Sequence, residues 1–364
     1  MSTITVRRST IHFVLGNANH FSRDLITWYS RHRRAMPWRV PLATLPDPYH
    51  VLVSELMLQQ TQVVTVIPYF HRFIAEFPTI AHLADADEQR VLRLWQGLGY
   101  YSRARNLQRA ARAVVEGFNG HIPREVDALL TLPGVGRYTA GAIASLAFDA
   151  RAPIVDGNVA RVLCRIDKIT SDPRERTTLQ AIWKRAEALL PETRPGDFNS
   201  GLMELGATIC TPRTPQCLIC PVANHCEARE AGLQETIPLI RKAKATPIIQ
   251  RQVWCIKWEN RWLIEQRPPT GRWAGMWQFV TIDPAAIQNI SRHVGIKLTR
   301  RKSLGTIRHA LTHRRYEFDV QVTGAASDGG KVSGDRRWIT LEAIDAYPLP
   351  RPHVRIARML DDLP

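Results

Sequence analysis

The chain has 364 residues, enough for two domains that each bury a core, and its 45% hydrophobic content fits a globular protein rather than a disordered one. Forty-nine Lys and Arg against 33 Asp and Glu leave a net charge of +16, which points to an extended polyanion as partner, nucleic acid ahead of an anionic membrane or an acidic protein. No stretch approaches the ~20 apolar residues of a membrane span and no secretory apolar run opens the chain, so a cytoplasmic protein is expected, nucleoid-associated if bacterial, with no membrane partner.

Apolar residues at helical spacing mark Leu25–Ser30, Pro48–Gln62, Ile67–Phe77, Glu88–Gln96, Ala104–Glu116, Val126–Leu130, Tyr138–Ala147, Val159–Ile166 and Arg176–Leu190, with no strand run among them. Near Ile237–Pro247 the character changes to prolines and basic residues, the composition of a linker. Alternating β-branched and aromatic residues then predict strands at Gln252–Trp258, Arg261–Gln266, Gln278–Ile282, Arg315–Val322 and Arg336–Ile339, with one helical segment at Pro284–His293. The expected organisation is an N-terminal extension (1–24), an all-α domain (25–235), a linker (236–247) and a smaller α+β domain (248–364).

Asp47-Pro48 is a helix start, with Asp as N-cap and Pro at the first helical position. The helix that follows is apolar almost all round, which leaves Glu55 in weakly solvating surroundings that raise a carboxyl pKa. Two readings follow: a general acid protonated near neutrality, or a core glutamate paired with an arginine. Leu132-Pro133-Gly134-Val135-Gly136 lies between two helical patterns, either a plain turn or a hairpin whose free backbone N–H groups hold a phosphate through Gly134 and Gly136. Asp156 stands at the next helix start as an N-cap, where backbone donors and the helix dipole are expected to lower its pKa. A protonated Glu55 and an anionic Asp156 form the pair that glycosidic cleavage needs, one to protonate the leaving group and one to stabilise the cationic sugar.

Cys210, Cys217, Cys220 and Cys226 follow the spacing C-x6-C-x2-C-x5-C, whereas Cys164 and Cys255 sit in apolar surroundings as buried free thiols. In a cytosol such a cluster suggests metal, either tetrahedral zinc or an iron–sulfur cluster. Arg213, between the first two of these cysteines, is a phosphate contact or a solvated surface charge.

Glu55, the glycine hairpin, Asp156 and the four spaced cysteines occur in the order found in the helix-hairpin-helix DNA glycosylases. Met36-Pro37-Trp38-Arg39, Ser54 through Gln62, Gly97-Leu98-Gly99-Tyr100-Tyr101-Ser102-Arg103 and Asp156-Gly157-Asn158-Val159 make the chain most similar to the MutY-type adenine DNA glycosylases, from about Leu25 to Glu230. The resemblance implies a [4Fe–4S] cluster on the loop 210–226 and a monomer acting on double-stranded DNA with adenine opposite 8-oxoguanine or guanine. It implies base flipping, protonation of adenine N7 by Glu55, stabilisation of an oxocarbenium ion by Asp156, and help from Asn158 and Tyr138 with geometry and water capture. Tyr138 stands where strand-cleaving relatives carry a lysine, which implies a monofunctional enzyme. Gln60 and Tyr100 match residues that enter the duplex, and Arg39 matches one that helps form the adenine pocket.

Residues 248–364 resemble the MutT-related, Nudix-like domain that reads 8-oxoguanine, mainly through Gly271 to Phe279 and Arg308-His309-Ala310-Leu311-Thr312-His313. The acidic box that binds magnesium in Nudix hydrolases is missing from Pro284 to Gln288, so binding rather than hydrolysis is expected. The chain departs from the family pattern at two points. Ser200 replaces the longer Gln or Glu that meets the adenine edge, and Leu311-Thr312-His313 replaces a Phe-Ser-His reader, keeping His313 and the Thr312 hydroxyl but losing the ring. A related glycosylase with another target base, or a lesion-binding protein without catalysis, are the competing readings.

Overall fold

A computed structural model describes residues 8–240, 246–285, 289–311, 314–328 and 334–363, with side chains from residue 19 onward. Two compact units form: Met1–Ala84 with Asn106–Lys242, and Asp85–Arg105 with Ala243–Pro364. Residues 85–105, read from sequence as part of the helical domain, therefore group with the C-terminal half.

The first unit is helical: α1 (Arg8–His32), α2 (Pro48–Leu58), α3 (Val63–Glu76), α4 (Ile80–Asp85, whose last residue falls in the second unit), and, after the inserted segment, most of α6 (Ser102–Phe118). The inserted segment carries α5 (Glu88–Trp95). Then follow α7 (Val126–Leu130), α8 (Arg137–Phe148), α9 (Gly157–Ile166), α10 (Arg176–Leu189), α11 (Pro195–Thr208) and the short α12 (Glu227–Glu230). Helix α2 starts as its sequence predicts: Asp47 Oδ1 accepts from the Tyr49 backbone N–H at 2.7 Å, and Pro48 occupies the first turn. Its residues from Val51 to Met57 are all buried, as an all-apolar helix requires.

Small residues let α11 press against its neighbours. A Cβ on Gly196 would lie 2.4 Å from the Ser145 carbonyl of α8, and one on Gly206 would lie 2.7 Å from Asn158 Cβ on α9. The core between them holds Phe21 and Leu25 of α1, Val159 and Leu163 of α9, and Phe198, Leu202 and Leu205 of α11, each about 2% exposed or less. Helices α8, α9 and α11 are thereby fixed against one another, and they carry much of the site described below.

The second unit is a six-stranded sheet in the order β4-β5-β1-β3-β2-β6, built from β1 (Ile248–Trp258), β2 (Arg261–Gln266), β3 (Trp277–Ile282), β4 (Lys302–Leu311), β5 (Arg314–Gly324) and β6 (Arg336–Ile339). Strands β1 and β5 run parallel, from Ile248 opposite Arg315 to Lys257 opposite Gly324, and the other pairings are antiparallel. Alternation along β1 sends Val253 and Cys255 to one core, with Phe279, Phe318 and Ile356 of α14 (Arg351–Asp361), and Trp254 and Ile256 to another, with Val280 and Val294 of α13 (Ile290–Val294). Both faces are covered, so the unit is α+β as expected. Cys164 and Cys255 are buried free thiols.

Several elements differ from the sequence expectation. Helix α1 begins at Arg8, well before Leu25. The segment Pro284–His293 shortens to α13, capped by the Asn289 side chain, which accepts from the Arg292 N–H at 3.0 Å; residues 286–288 lie outside the described residues. Helices α4, α11 and α14 and strand β4 were not predicted. Strand β4 carries a register shift between Ser303 and Gly305, and such a bulge breaks the alternation by which strands are read. Among the described residues no helix is long and apolar enough to cross a membrane.

Candidate active site

A cleft of about 1270 Å³ opens within the first unit, lined among others by Arg39, Glu55, Gln60, Tyr138, Asp156, Asn158 and Ser200. Seven of the residues singled out from sequence thus meet in one cavity. Glu55, on α2, is 5% exposed, and Oε2 of its carboxyl accepts the Tyr138 hydroxyl at 2.7 Å. Burial pushes the Glu55 pKa up to about 7; the Tyr138 hydrogen bond and the Arg39 charge pull it back, and the Asp156 charge adds to the rise. A carboxyl in this state holds a proton near neutrality and can give it up, as a general acid must.

Asp156 is the N-cap of α9, and its Oδ1 accepts the Val159 N–H at 2.7 Å while Oδ2 accepts from Asn158 Nδ2 at 3.2 Å. The expected lowering of its pKa does not occur. Burial raises it, and the backbone donors of Val159 and Asn158, the Arg161 charge and the Asn158 side chain only partly offset that rise. Desolvation of a carboxylate on the wall of the cleft outweighs the helix terminus. What separates the two acids is their donors: one hydroxyl on Glu55, a backbone amide and a side-chain amide on Asp156.

Two residues that sequence reading passed over complete the site. Glu204, one turn beyond Ser200 on α11, is 1% exposed and accepts from Arg34 Nε at 2.6 Å and Arg39 Nη2 at 2.9 Å. Burial pushes its carboxyl up, but those arginines outweigh it and hold the pKa below the usual range. Arg161, on α9, donates through Nη2 to Asn158 Oδ1 at 2.8 Å and to the Gly206 carbonyl at 2.7 Å, and through Nε to the Cys210 carbonyl at 2.9 Å. The spacing of Ser200 and Glu204 on one helical face was a signal available in the sequence; the reach of Arg161 was not.

The four cysteines Cys210, Cys217, Cys220 and Cys226 line a second cavity. All four cysteines border this one space, a set of four soft sulfur donors of the kind an iron–sulfur cluster takes. Arg165 is 1% exposed and donates to Cys210 Sγ at 3.2 Å and to the carbonyls of Thr211, Pro212 and Ile237, so one buried guanidinium of α9 holds the start of the cysteine loop in place. When bound, the cluster ties the loop 210–226 together.

Gly134 has φ +79, and an added Cβ would meet Asn106 Cβ at 2.5 Å; Gly136, the N-cap of α8, has open space around its missing Cβ. Neither lines the cleft, and Arg213 is exposed on the cysteine loop. Gln60 adopts φ +57 at the cleft rim. Tyr100, in the second unit, adopts φ +48, is 44% exposed and carries the Arg103 guanidinium 5.4 Å from its ring centre. A left-handed conformation at two large non-glycine residues costs energy that their surroundings offset. Thr312 and His313 lie outside the described residues.

Residues 53–188 match the HhH-GPD superfamily of base excision DNA repair proteins, 210–226 the iron–sulfur binding domain of endonuclease III, and 252–359 the NUDIX domain. The fold and the paired acids thus define a base-excision glycosylase with an iron–sulfur loop. The chain is 38% identical to the adenine DNA glycosylase of Homo sapiens over 88% of its own length and 70% of the human protein. It is 39% identical to that of Buchnera aphidicola subsp. Schizaphis graminum over 72% of its length and 75% of that protein. It belongs to the adenine DNA glycosylases. Its helical part is also similar to the structure of a thermostable thymine-DNA glycosylase, with 31% identity and a TM-score of 0.52 over 59% of this chain and 98% of that one. The [4Fe–4S] cofactor implied by the family resemblance agrees with the iron–sulfur match.

Proposed function

We propose that this glycosylase is monofunctional and removes adenine opposite 8-oxoguanine or guanine by hydrolysis, acting as a monomer on duplex DNA. The observation that carries the reading is Tyr138. Its hydroxyl is committed to Glu55 inside the cleft, and among the described cleft-lining residues there is no lysine to attack the sugar. Glu55 transfers its proton to adenine N7, the C1′–N9 electron pair leaves with the base, and the sugar becomes an oxocarbenium ion. Asp156, beside Tyr138 and Asn158, stabilises that cation until water adds to C1′ and loses a proton.

Arg39, fixed by Glu204, borders the adenine, and Ser200 faces it from α11, too short for direct contact where a glutamine would reach. Gln60 and Tyr100 enter the duplex, while Gly134, Gly136 and Arg213 meet its phosphates. The second unit, with Thr312 and His313, reads the opposite base.

Single-turnover base release on duplexes with adenine opposite 8-oxoguanine, guanine, cytosine or thymine, developed with and without alkali, tests the reading. Release opposite 8-oxoguanine and guanine, with strand breaks only after alkali, is expected. Strand breaks without alkali would overturn the monofunctional assignment, and equal rates opposite all four bases would overturn the mispair assignment.

A further inference from the structure

Beyond the residues already assigned, the second unit gathers positive charge in one place. His309 of β4 lies with its ring centre 6.1 Å from that of Trp273, which in turn lies 5.4 Å from Tyr316. The Arg272 guanidinium sits 5.3 Å from the Tyr316 ring centre, and Arg355 Nη1 donates to the Arg308 carbonyl at 3.2 Å. Arg351 opens α14 one turn before Arg355, and both are exposed. Burial and then the charges of Arg351, Arg355 and Arg272 hold His309 below the usual imidazole range, so three guanidinium groups act on one side chain.

These three have no ion pair with a carboxylate among the described residues, whereas neighbouring Arg308 is paired with Glu317 at 3.0 Å. Nη1 of Arg272 is out of solvent and lacks a hydrogen-bond partner. Packing three cations together without acids costs Coulomb energy that an anionic ligand would offset. The loop that presents Arg272 is held firmly: Arg267 Nε donates to the Arg272 carbonyl at 2.9 Å, and Trp273 sits at φ +52 between Gly271 and Gly275, both also left-handed. The loop thus holds the unpaired Arg272 cation in place beside the Tyr316 ring.

We infer that Arg272, Arg351 and Arg355, over the floor of Trp273, Tyr316 and His309, form a phosphate-binding surface through which the second unit grips the DNA backbone. The partner is duplex DNA, so the inference rests on the functional reading above, and it adds backbone positioning to base reading on this unit. The contact carries no sequence information. It supplies affinity and salt dependence.

The test is equilibrium binding of a short duplex with adenine opposite 8-oxoguanine across a salt series, using full-length protein loaded with its cluster. For Arg351→Gln/Arg355→Gln, Kd is expected to rise about tenfold and the slope of log K against log salt to fall by about 2, since each neutralised phosphate contributes about one unit. Single-turnover base release at saturating protein stays as in the wild type. Arg300→Gln/Arg301→Gln, an equal loss of exposed charge ahead of β4, serves as the control and is expected to change the slope by less than half as much. Unchanged Kd and slope in the first variant, or equal changes in both, would overturn the inference. Wild-type protein that binds with this salt dependence yet releases no base would overturn the functional reading and leave the surface standing.

Discussion

The Tyr138 hydroxyl donates to Glu55 Oε2 at 2.7 Å, and that one bond both holds the acid in position and restrains its pKa. In the proposed mechanism Glu55 acts in its protonated form, so single-turnover base release should fall as pH rises through about 7. In Tyr138→Phe the lowering influence of the hydroxyl is gone, so the basic limb should move to higher pH even where the maximal rate drops. A limb that stays in place would show that another group sets it.

Glu55→Gln should reduce base release by roughly 10²–10⁴-fold while leaving DNA binding intact. The same variant should be more stable than the wild type at alkaline pH. Between about 4.5 and about 7 the unfolded chain releases a proton that the folded chain keeps, so stability falls with rising pH across this window and the full cost is present above it. The shift is worth about 3 kcal/mol. The stability difference between the two proteins should therefore open above pH 7 and close towards pH 4.5, as read from urea midpoints at both pH values.

The hairpin glycines separate folding from binding. Gly134→Ala places a Cβ in a left-handed position 2.5 Å from Asn106 Cβ and should destabilise the protein by roughly 1–3 kcal/mol. Gly136→Ala has room for its methyl group and should leave the urea midpoint unchanged, while duplex affinity falls because the backbone can no longer approach a phosphate closely. Equal affinities for Gly136→Ala and wild type would remove this residue from the interface.

Arg165→Met removes a buried cation that serves Cys210 Sγ and three carbonyls, and should cost about 3–5 kcal/mol together with much of the bound iron. Arg161→Met leaves the thiolate contact alone and should keep its iron while slowing base release, because Asn158 loses its anchor. Iron content and single-turnover rates measured on the same preparations distinguish the two; parallel losses in both variants would contradict the division of labour.

Much of this was legible in the residues themselves. The apolar periods around Glu55 and after Asp156, and the Asp47-Pro48 start, placed α2 and α9 and put both acids where they are observed. Helix α11 is hard to read because Gly, Asp, Asn and Ser surround Phe198, Leu202 and Leu205; its stability comes from burying those three side chains and from the close backbone approach that Gly196 and Gly206 allow. Glu204 and Arg161 escaped for a related reason. Each looks like a surface charge on its own helix, and only partners brought from distant segments bury Glu204 and half-bury Arg161. The sign of the Asp156 shift is not legible in the sequence because capping is local whereas desolvation is decided by residues of distant segments around the cleft.

From Asp156 through the Asn158 amide and the Arg161 guanidinium, hydrogen bonds run without a break to the carbonyl of Cys210. A cluster bound on the loop 210–226 would hold the far end of this tether, whose near end is the carboxylate proposed to face the sugar. Protein made under iron scarcity would possess every reacting group and lack the fixture that aligns one of them. The amount of working enzyme would then follow metal supply as well as protein synthesis, and a census of polypeptide alone would overstate a cell's capacity for repair.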